Sequence, residues 1–409
     1  MYDRSANGIS EQLNTNYKND IHYTLQMCQW LLKPLGIWPV IYKRTSQLEK
    51  LIAFILFSMC FFTLLFIIVP CCNFIFSSEN SIHVKVKLLG PVSFSMTSAM
   101  KYCYFGLKGQ FFERCIEHVE RDWKTVQDPN HRGIMLKYVT ISRNMIIVCA
   151  IFLYTGGMSH HTVEQFLSKE RSKSNNTVRP LAYPGYDAFF DVQSSPTYEI
   201  VFFLHCSAAM VTHTVATGAY SLAAIFVTHI CGQIQINITR LQELVKKVEN
   251  NDVTPDPLAI IIHDHVEIIK FARNVEEALR EICLIQIIES TVNMCMLEYY
   301  CLSEWRNSDA VAIVTYSTLL ISFTFNIFIF CYIGEVLFEQ CTRIGVASYE
   351  IEWYNLPAKR AHDLILLNVI SQNPPILTAG KIIELSLTTF STVVKTSVVY
   401  FNLLRTFTE

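Results

Sequence analysis

Four polar side chains on an otherwise apolar run near the carboxyl end are the residues best placed to do chemistry: Thr392, Lys395, Thr396 and Asn402. Unpaired polar groups in hydrocarbon are costly, so a helix that carries them is poorly suited to facing lipid on all sides. Part of its surface must face water or protein, which is the first sign of a pore. Lys395 has two readings, a salt bridge with an acid elsewhere or a place at a water-filled vestibule. Lys101, Arg143 and Glu289 are further ionisable residues inside apolar stretches. Lys101 and Arg143 sit in inner halves, where long side chains reach back to the cytosolic interface. Glu289 is deeper and has no evident partner in the sequence.

Bond-making chemistry finds little to work with. His263-Asp-His265 resembles a metal motif, but residues two apart on a helix point in different directions. His160-His161 has no third ligand nearby. No Gly-rich phosphate loop, Ser/His/Asp order or paired catalytic carboxylates stand out. The fourteen cysteines are scattered without a CxxC repeat, so neither a metal cluster nor a disulfide framework is expected. Cys71, Cys72 and Cys301 lie near the expected outer face, where pairing and plain burial are the two readings. We expect no enzyme activity, no cofactor and no metal.

The elements that must hold these residues are membrane helices. The chain is 51% hydrophobic and 17% charged over 409 residues, with mean hydropathy +0.29, a membrane composition. A net charge of −2 points away from nucleic acid. Apolar stretches long enough to cross a hydrocarbon core occur near 51–71, 84–107, 138–157, 198–228, 282–301, 310–337 and 382–404. The first 48 residues are polar, so no cleavable signal peptide is expected and the amino terminus stays in the cytosol. Lys and Arg favour the same orientation. An odd number of spans then puts the carboxyl end outside. The expected fold is all-α, a polytopic membrane protein with seven transmembrane helices and a cytosolic helical anchor domain. It divides into a cytosolic segment 1–48, six spans over 49–337 with cytosolic extensions near 230–280, an anchor segment 338–380 and a final helix 381–409.

Those extensions follow from apolar periodicity. It continues through Ile234, Ile238, Leu241 and Leu244, breaks at Pro255-Asp-Pro257, and resumes over Leu258 to Leu279. A third cytosolic helix is expected from Ala358 to Ile370, ended by Pro374-Pro375. Such a bundle leaves apolar faces exposed in a monomer, and packing between subunits is the remedy. Asn175-Asn-Thr177 is a glycosylation sequon in the expected extracellular loop. Asn237-Ile-Thr239 falls on a cytosolic stalk and is read as chance.

In order along the chain, several segments resemble the insect odorant receptors. They are Leu32-Lys-Pro-Leu-Gly-Ile-Trp-Pro39, Pro180-Leu-Ala-Tyr-Pro184 with Ser195-Pro-Thr-Tyr198, and His265 with Ile268, Phe271-Ala272 and Val275-Glu276. The strongest block runs from Tyr349 to Leu404, with Glu352-Trp353-Tyr354, Gln372, Leu377-Thr-Ala-Gly380, Leu385-Ser386, Thr389-Phe390 and Leu403-Leu404. The resemblance implies a tetramer around one pore, an odorant-gated non-selective cation channel in the plasma membrane of olfactory sensory neurons. It also implies a heterotetramer with a shared co-receptor. The short loop between the stalks reads as a tuning subunit rather than that co-receptor. A gustatory-type receptor of the same superfamily and a G-protein-coupled receptor are the alternatives.

The resemblance implies sites as well. With the last helix taken as pore-lining, steps of three, four and seven from Leu403 collect Thr392, Thr396, Val399, Leu403 and Phe407 on one face. Leu403 and Phe407 stand where the family has its gate, and an apolar ring there would close by dewetting. Lys395 lies about 80° off that face. A volatile ligand needs an enclosed, largely apolar cavity. The family position of that cavity, in the outer half of helices two, three, four and six, supplies Phe94, Phe152, Phe202, Cys206, Met210, Tyr316 and Phe323.

Overall fold

The structure, a computed structural model, describes residues 14–42, 45–77, 82–159, 181, 183–186, 189, 191–249, 256–307 and 309–408. Asn175 lies outside them, as do the side chain of Phe407 and Pro255 at the break between the stalks. The described residues are almost entirely helical. In order it forms α1 (Tyr17–Leu32), α2 (Trp38–Ile41), α3 (Gln47–Phe76), α4 (Ile82–Thr125), α5 (Pro129–Met158), α6 (Thr197–Glu249), α7 (Pro257–Asn307), α8 (Ala310–Glu350), α9 (Ala358–Ser371) and α10 (Leu387–Thr408). A two-stranded hairpin, β1 (Thr378–Ala379) with β2 (Ile383–Glu384), precedes α10.

Among the described residues, five helices are long and apolar enough to cross a membrane: α3, α5, α6, α7 and α8. Two more run alongside them. α4 is diluted by serines, tyrosines and Lys101, and α10 by threonines, Lys395 and Asn402. The outer face of α3 is open and apolar, with Leu51, Phe54, Met59, Phe62 and Val69 all exposed. Such a face suits lipid rather than water.

Local chemistry fixes the helix starts. Ser46 Oγ accepts from the Glu49 N–H at 3.2 Å while the Ser46 N–H donates to Glu49 Oε2 at 2.8 Å, a capping box at the head of α3. Asp128 accepts from the Asn130 N–H at 2.8 Å with Pro129 in the first turn of α5. Asp309 accepts from the Val311 and Ala312 N–H groups at the head of α8.

Two ends of the bundle differ. The loop end holds the close of α5, α7 and α3 and the starts of α6 and α8. At the opposite, stalk end, α4 and α6 to α8 run 41 to 53 residues each, beyond the ~20 that a bilayer core requires. The α4 extension adds to those expected from the sequence. α4 bends at Lys108 (φ −114°, ψ 18°), beside Gly109, where a Cβ would lie 2.6 Å from Val40 Cγ1. α2 therefore presses into α4 at the bend.

The first 48 residues are more structured than their polarity suggests. α1 buries Leu25, Cys28 and Leu32 against the core, and Leu32 fills the space left by Gly218 on α6. Asp20 forms a two-pronged pair with Arg132 at 2.8 Å. Burial alone would raise the Asp20 carboxyl, but hydrogen bonds from Arg132 and Asn14 outweigh it and hold it below its usual range.

A polar cleft of about 690 Å³ lies between the stalks, lined in part by His118, Asp122, Arg240 and Asp264. His229 Nε2 meets Asp122 Oδ2 at 2.9 Å, and Arg240 meets Asp264 at 2.7 Å. His118 stacks on Phe271 at 4.1 Å. Burial pushes its imidazole down to about 4 despite the opposing pull of Asp122. The ring is neutral near pH 7 and acts as packing. His265 is buried as well, and no group of three or more metal-ligating side chains forms among the described residues. All fourteen cysteines are free thiols, Cys71, Cys72 and Cys301 included.

Candidate functional site

The hairpin positions α10. Gly380 and Lys381 both have φ 61°, the left-handed region a tight turn needs, and the Gly380 N–H donates to the Arg280 carbonyl at 3.0 Å. Thr378 Oγ1 donates to Glu276 at 2.6 Å, tying the same turn to α7. The chain then crosses α8 at Gly334, where a Cβ would lie 2.3 Å from the Leu385 carbonyl oxygen. Glu335 accepts from the Leu387 N–H at 3.0 Å, so α8 caps the helix it delivers. These seven hairpin residues explain why α10 starts at Leu387 rather than at Lys381.

α10 packs on one side only. Val393 and Ser397 are buried against α7 and α8, and Ser397 Oγ donates to Glu298 Oε1 of α7 at 3.0 Å. The opposite side is open. Thr392, Lys395 and Asn402 are exposed, Val399 is 62% and Leu403 53% exposed, and Thr396 is half-buried. Of the residues expected to share a face, Thr392, Val399 and Leu403 lie on the unpacked arc and Thr396 stands at its half-buried border. At 22 residues the helix is long enough, at about 33 Å, to cross a hydrocarbon core.

A second constellation lies between α4, α5, α6 and α8. Phe94 meets Phe323 edge-on at 5.4 Å and His213 at 5.2 Å. Phe152 stacks on Phe325 at 4.2 Å, and its carbonyl accepts from Ser322 Oγ at 2.8 Å. Tyr154 donates or accepts with Thr214 Oγ1 at 2.7 Å. The helices approach closely here because Gly156 and Gly157 follow one another. A Cβ on Gly157 would lie 1.8 Å from His213 Nε2, and one on Gly156 would lie 2.5 Å from Ser322 Oγ. An aromatic wall with an imidazole and hydroxyls in it suits a small apolar molecule bearing one polar group.

The other expected ligand contacts are placed less centrally. Tyr316 lies beside Tyr300 of α7 at 5.4 Å. Phe202 stacks on Tyr198 of its own helix at 6.4 Å, and Cys206 is half-buried. Phe202, Cys206 and His213 share one face of α6 in steps of four and seven. Met210, four residues after Cys206 and three before His213, stands at the edge of that face and is 44% exposed. Sequence reasoning passed over His213 because it weighed apolar residues only. The seven-residue step from Cys206 was the signal that would have found it.

The buried charges correct the sequence-based expectation. Lys101 does not reach for the interface. Its Nζ lies 2.7 Å from Glu289 Oε2 and donates to Gln286 Oε1 at 2.5 Å, with the two charged side chains 0% and 1% exposed. Glu289 therefore has a partner, 188 positions away in sequence. Isolated charges cannot be afforded in such a place, so each side chain accounts for the other. Arg143 turns to α1, donating to the Tyr23 carbonyl at 2.7 Å with its guanidinium 4.1 Å from the Tyr23 ring.

Known proteins share this architecture and parts of this sequence. The chain is 26% identical to Odorant receptor 13a of Drosophila melanogaster over 260 residues, 56% of this chain and 62% of that protein. It is 25% identical to Odorant receptor 10 of Aedes albopictus over 56% of this chain and 60% of the relative. The match thus spans about three fifths of the length of these relatives. The solved olfactory receptor OR5 from Machilis hrabei in complex with eugenol superposes with a TM-score of 0.78 over 96% of this chain and 99% of that one, at 14% identity. That likeness shows a common fold. The sequence profile of the 7tm odorant receptors matches residues 81–398, from the start of α4 into α10, and the chain therefore belongs to the odorant receptor family as a multi-pass membrane protein.

Proposed function

We propose that the chain is a tuning subunit of an odorant-gated, non-selective cation channel. It binds a small volatile among the aromatic side chains of α4, α5, α6 and α8, and α10 lines the path that opens. In this reading α4 and α10 join the five apolar helices to make seven spans, with the stalk end in the cytosol and the carboxyl end outside. The protein sits in the plasma membrane of olfactory sensory neurons, and lipid meets the apolar outer faces of α3 and α5.

The one-sided packing of α10 carries this reading. A helix that buries Val393 and Ser397 and leaves Thr392, Val399 and Leu403 open is unfinished in a single chain. In a four-fold assembly those arcs converge on an axis, where Leu403 with Phe407 forms the apolar constriction and Val399 and the threonines lie deeper. Phe407 extends the same row by one turn in sequence. The stalks supply the subunit contacts, and the short connection from Glu249 to Pro257 supports a tuning subunit paired with the family's shared co-receptor. OR5 from Machilis hrabei holds eugenol, a small aromatic compound with a hydroxyl. The Phe94, Phe323 and His213 cluster has the chemistry for a ligand of that kind.

Expression in cells with and without the co-receptor, with current recorded against a panel of volatiles that includes eugenol, tests this. The reading expects robust evoked cation current only in the co-expressing cells. Equal current from the chain alone would overturn the tuning-subunit assignment, and no current from any compound in surface-expressing cells would overturn the channel reading.

A further inference from the structure

We propose that Lys395 faces the ion path and sets its preference among cations, adding a fixed positive charge to the wall that holds back divalent ions. The inference rests on the pore reading of α10 and names what that surface selects.

Exposure gives the first argument. Lys395 is open to solvent while Val393 and Ser397, two positions to either side, are buried. At 100° per residue, the open arc of α10 runs through Thr388, Thr392, Lys395, Val399, Asn402 and Leu403. Lys395 lies inside this arc rather than at its border.

Chemistry gives the second. Thr388, Lys395 and Asn402 follow one another at intervals of seven, a stripe of hydroxyl, ammonium and amide along one line of the helix. Turned to lipid, that stripe would be costly. Turned to a water-filled path, it is solvated.

The third argument is the lack of an answering acid. From Leu387 to Thr408 the helix carries Lys395 and Arg405 and no Asp or Glu. Among the described residues, two carboxylates bond α10 away from Lys395: Glu298 Oε1 accepts from Ser397 on the packed side, and Glu335 accepts from the Leu387 N–H. Lys395 forms no ion pair among the described residues. It sits eight residues before Leu403, about 12 Å nearer the stalk end. An ion must pass the two in succession. A unit charge some 7 Å from the axis, in a water-like dielectric, disfavours a divalent over a monovalent cation by about threefold.

Reversal potentials in sodium and in calcium, recorded from the channel co-expressed with the co-receptor, test the proposal. Lys395→Gln should raise the calcium-to-sodium permeability ratio about threefold, and Lys395→Arg should leave it unchanged. In Lys395→Cys channels already at the surface, a cationic methanethiosulfonate should return the ratio towards the wild-type value and an anionic one should raise it. Leu403→Cys, probed with the same reagents, reports on the pore reading separately. If Leu403→Cys is blocked while the Lys395 variants keep the wild-type ratio, the path follows α10 and Lys395 does not face it. If neither cysteine responds, the pore reading fails and this proposal falls with it.

Discussion

Replacing Lys101 by methionine tests the packing at the centre of the bundle. The Lys101 ammonium lies 2.7 Å from Glu289 and 2.5 Å from Gln286, and neither charged side chain has more than 1% exposure. Lys101→Met leaves the Glu289 carboxylate with the Gln286 amide at 3.4 Å as its remaining side-chain donor. An uncompensated buried charge costs about 3–5 kcal/mol, roughly two to four orders of magnitude in the folded fraction. Replacing both partners by methionine removes both desolvation costs, and such exchanges range from neutral to stabilising. Heating the solubilised, fluorescently tagged receptor and following its monodisperse fraction reads this directly, with surface labelling as a second measure. Both single substitutions should melt well below wild type, and the double variant should recover most of the loss. The resulting cycle should give a coupling of about 2 kcal/mol or more. If Lys101→Met melts like wild type, or if the double variant is as weak as the sum of the singles, the two side chains are not partners and the reasoning fails.

Other substitutions test the ligand cluster and the gate. Phe94→Leu removes an aromatic contact with Phe323 and His213, and should raise the half-maximal odorant concentration about two- to tenfold. Met210→Trp, at a position open to the outside of the cluster, should leave the ligand profile unchanged in properly trafficked receptor. Gly157→Ala forces a methyl onto His213 and should cost about 1–3 kcal/mol in thermal stability, together with the odorant response. Gly133→Ala on the same helix meets nothing within 4 Å and should be neutral or stabilising in the same melt. Leu403→Ser should raise ligand-independent current by wetting the constriction, with little change in odorant affinity. Unchanged basal current, also with a matching co-receptor substitution, would make Leu403 a packing residue.

How much of this was legible in the sequence depends on the range of the signal. The long helices follow from continuous apolar stretches, and the open arc of α10 follows from the spacing of Thr392, Val399 and Leu403. α1 was hidden because its buried face mixes polar Asp20 and Thr24 with Leu25, Cys28 and Leu32, which blurs the apolar pattern. The stalk of α4 was missed because charges from Glu113 to Lys124 dilute its apolar pattern. The hairpin before α10 has two residues per strand, too few for any periodicity. The Lys101–Glu289 pair could not be read at all, since nothing local links positions 188 apart. His213 was within reach, because it continues the face of Phe202 and Cys206.

The central claim is that the protein itself forms part of the conducting path and opens when a volatile binds. Outside-out patches from cells co-expressing the chain and the co-receptor, recorded with no GTP in the pipette, test it most directly. The account predicts unitary cation openings on odorant application that persist without nucleotide and change in conductance or basal rate when Leu403 is substituted. Openings that vanish without GTP, or that are indifferent to every substitution on the exposed arc of α10, would contradict it.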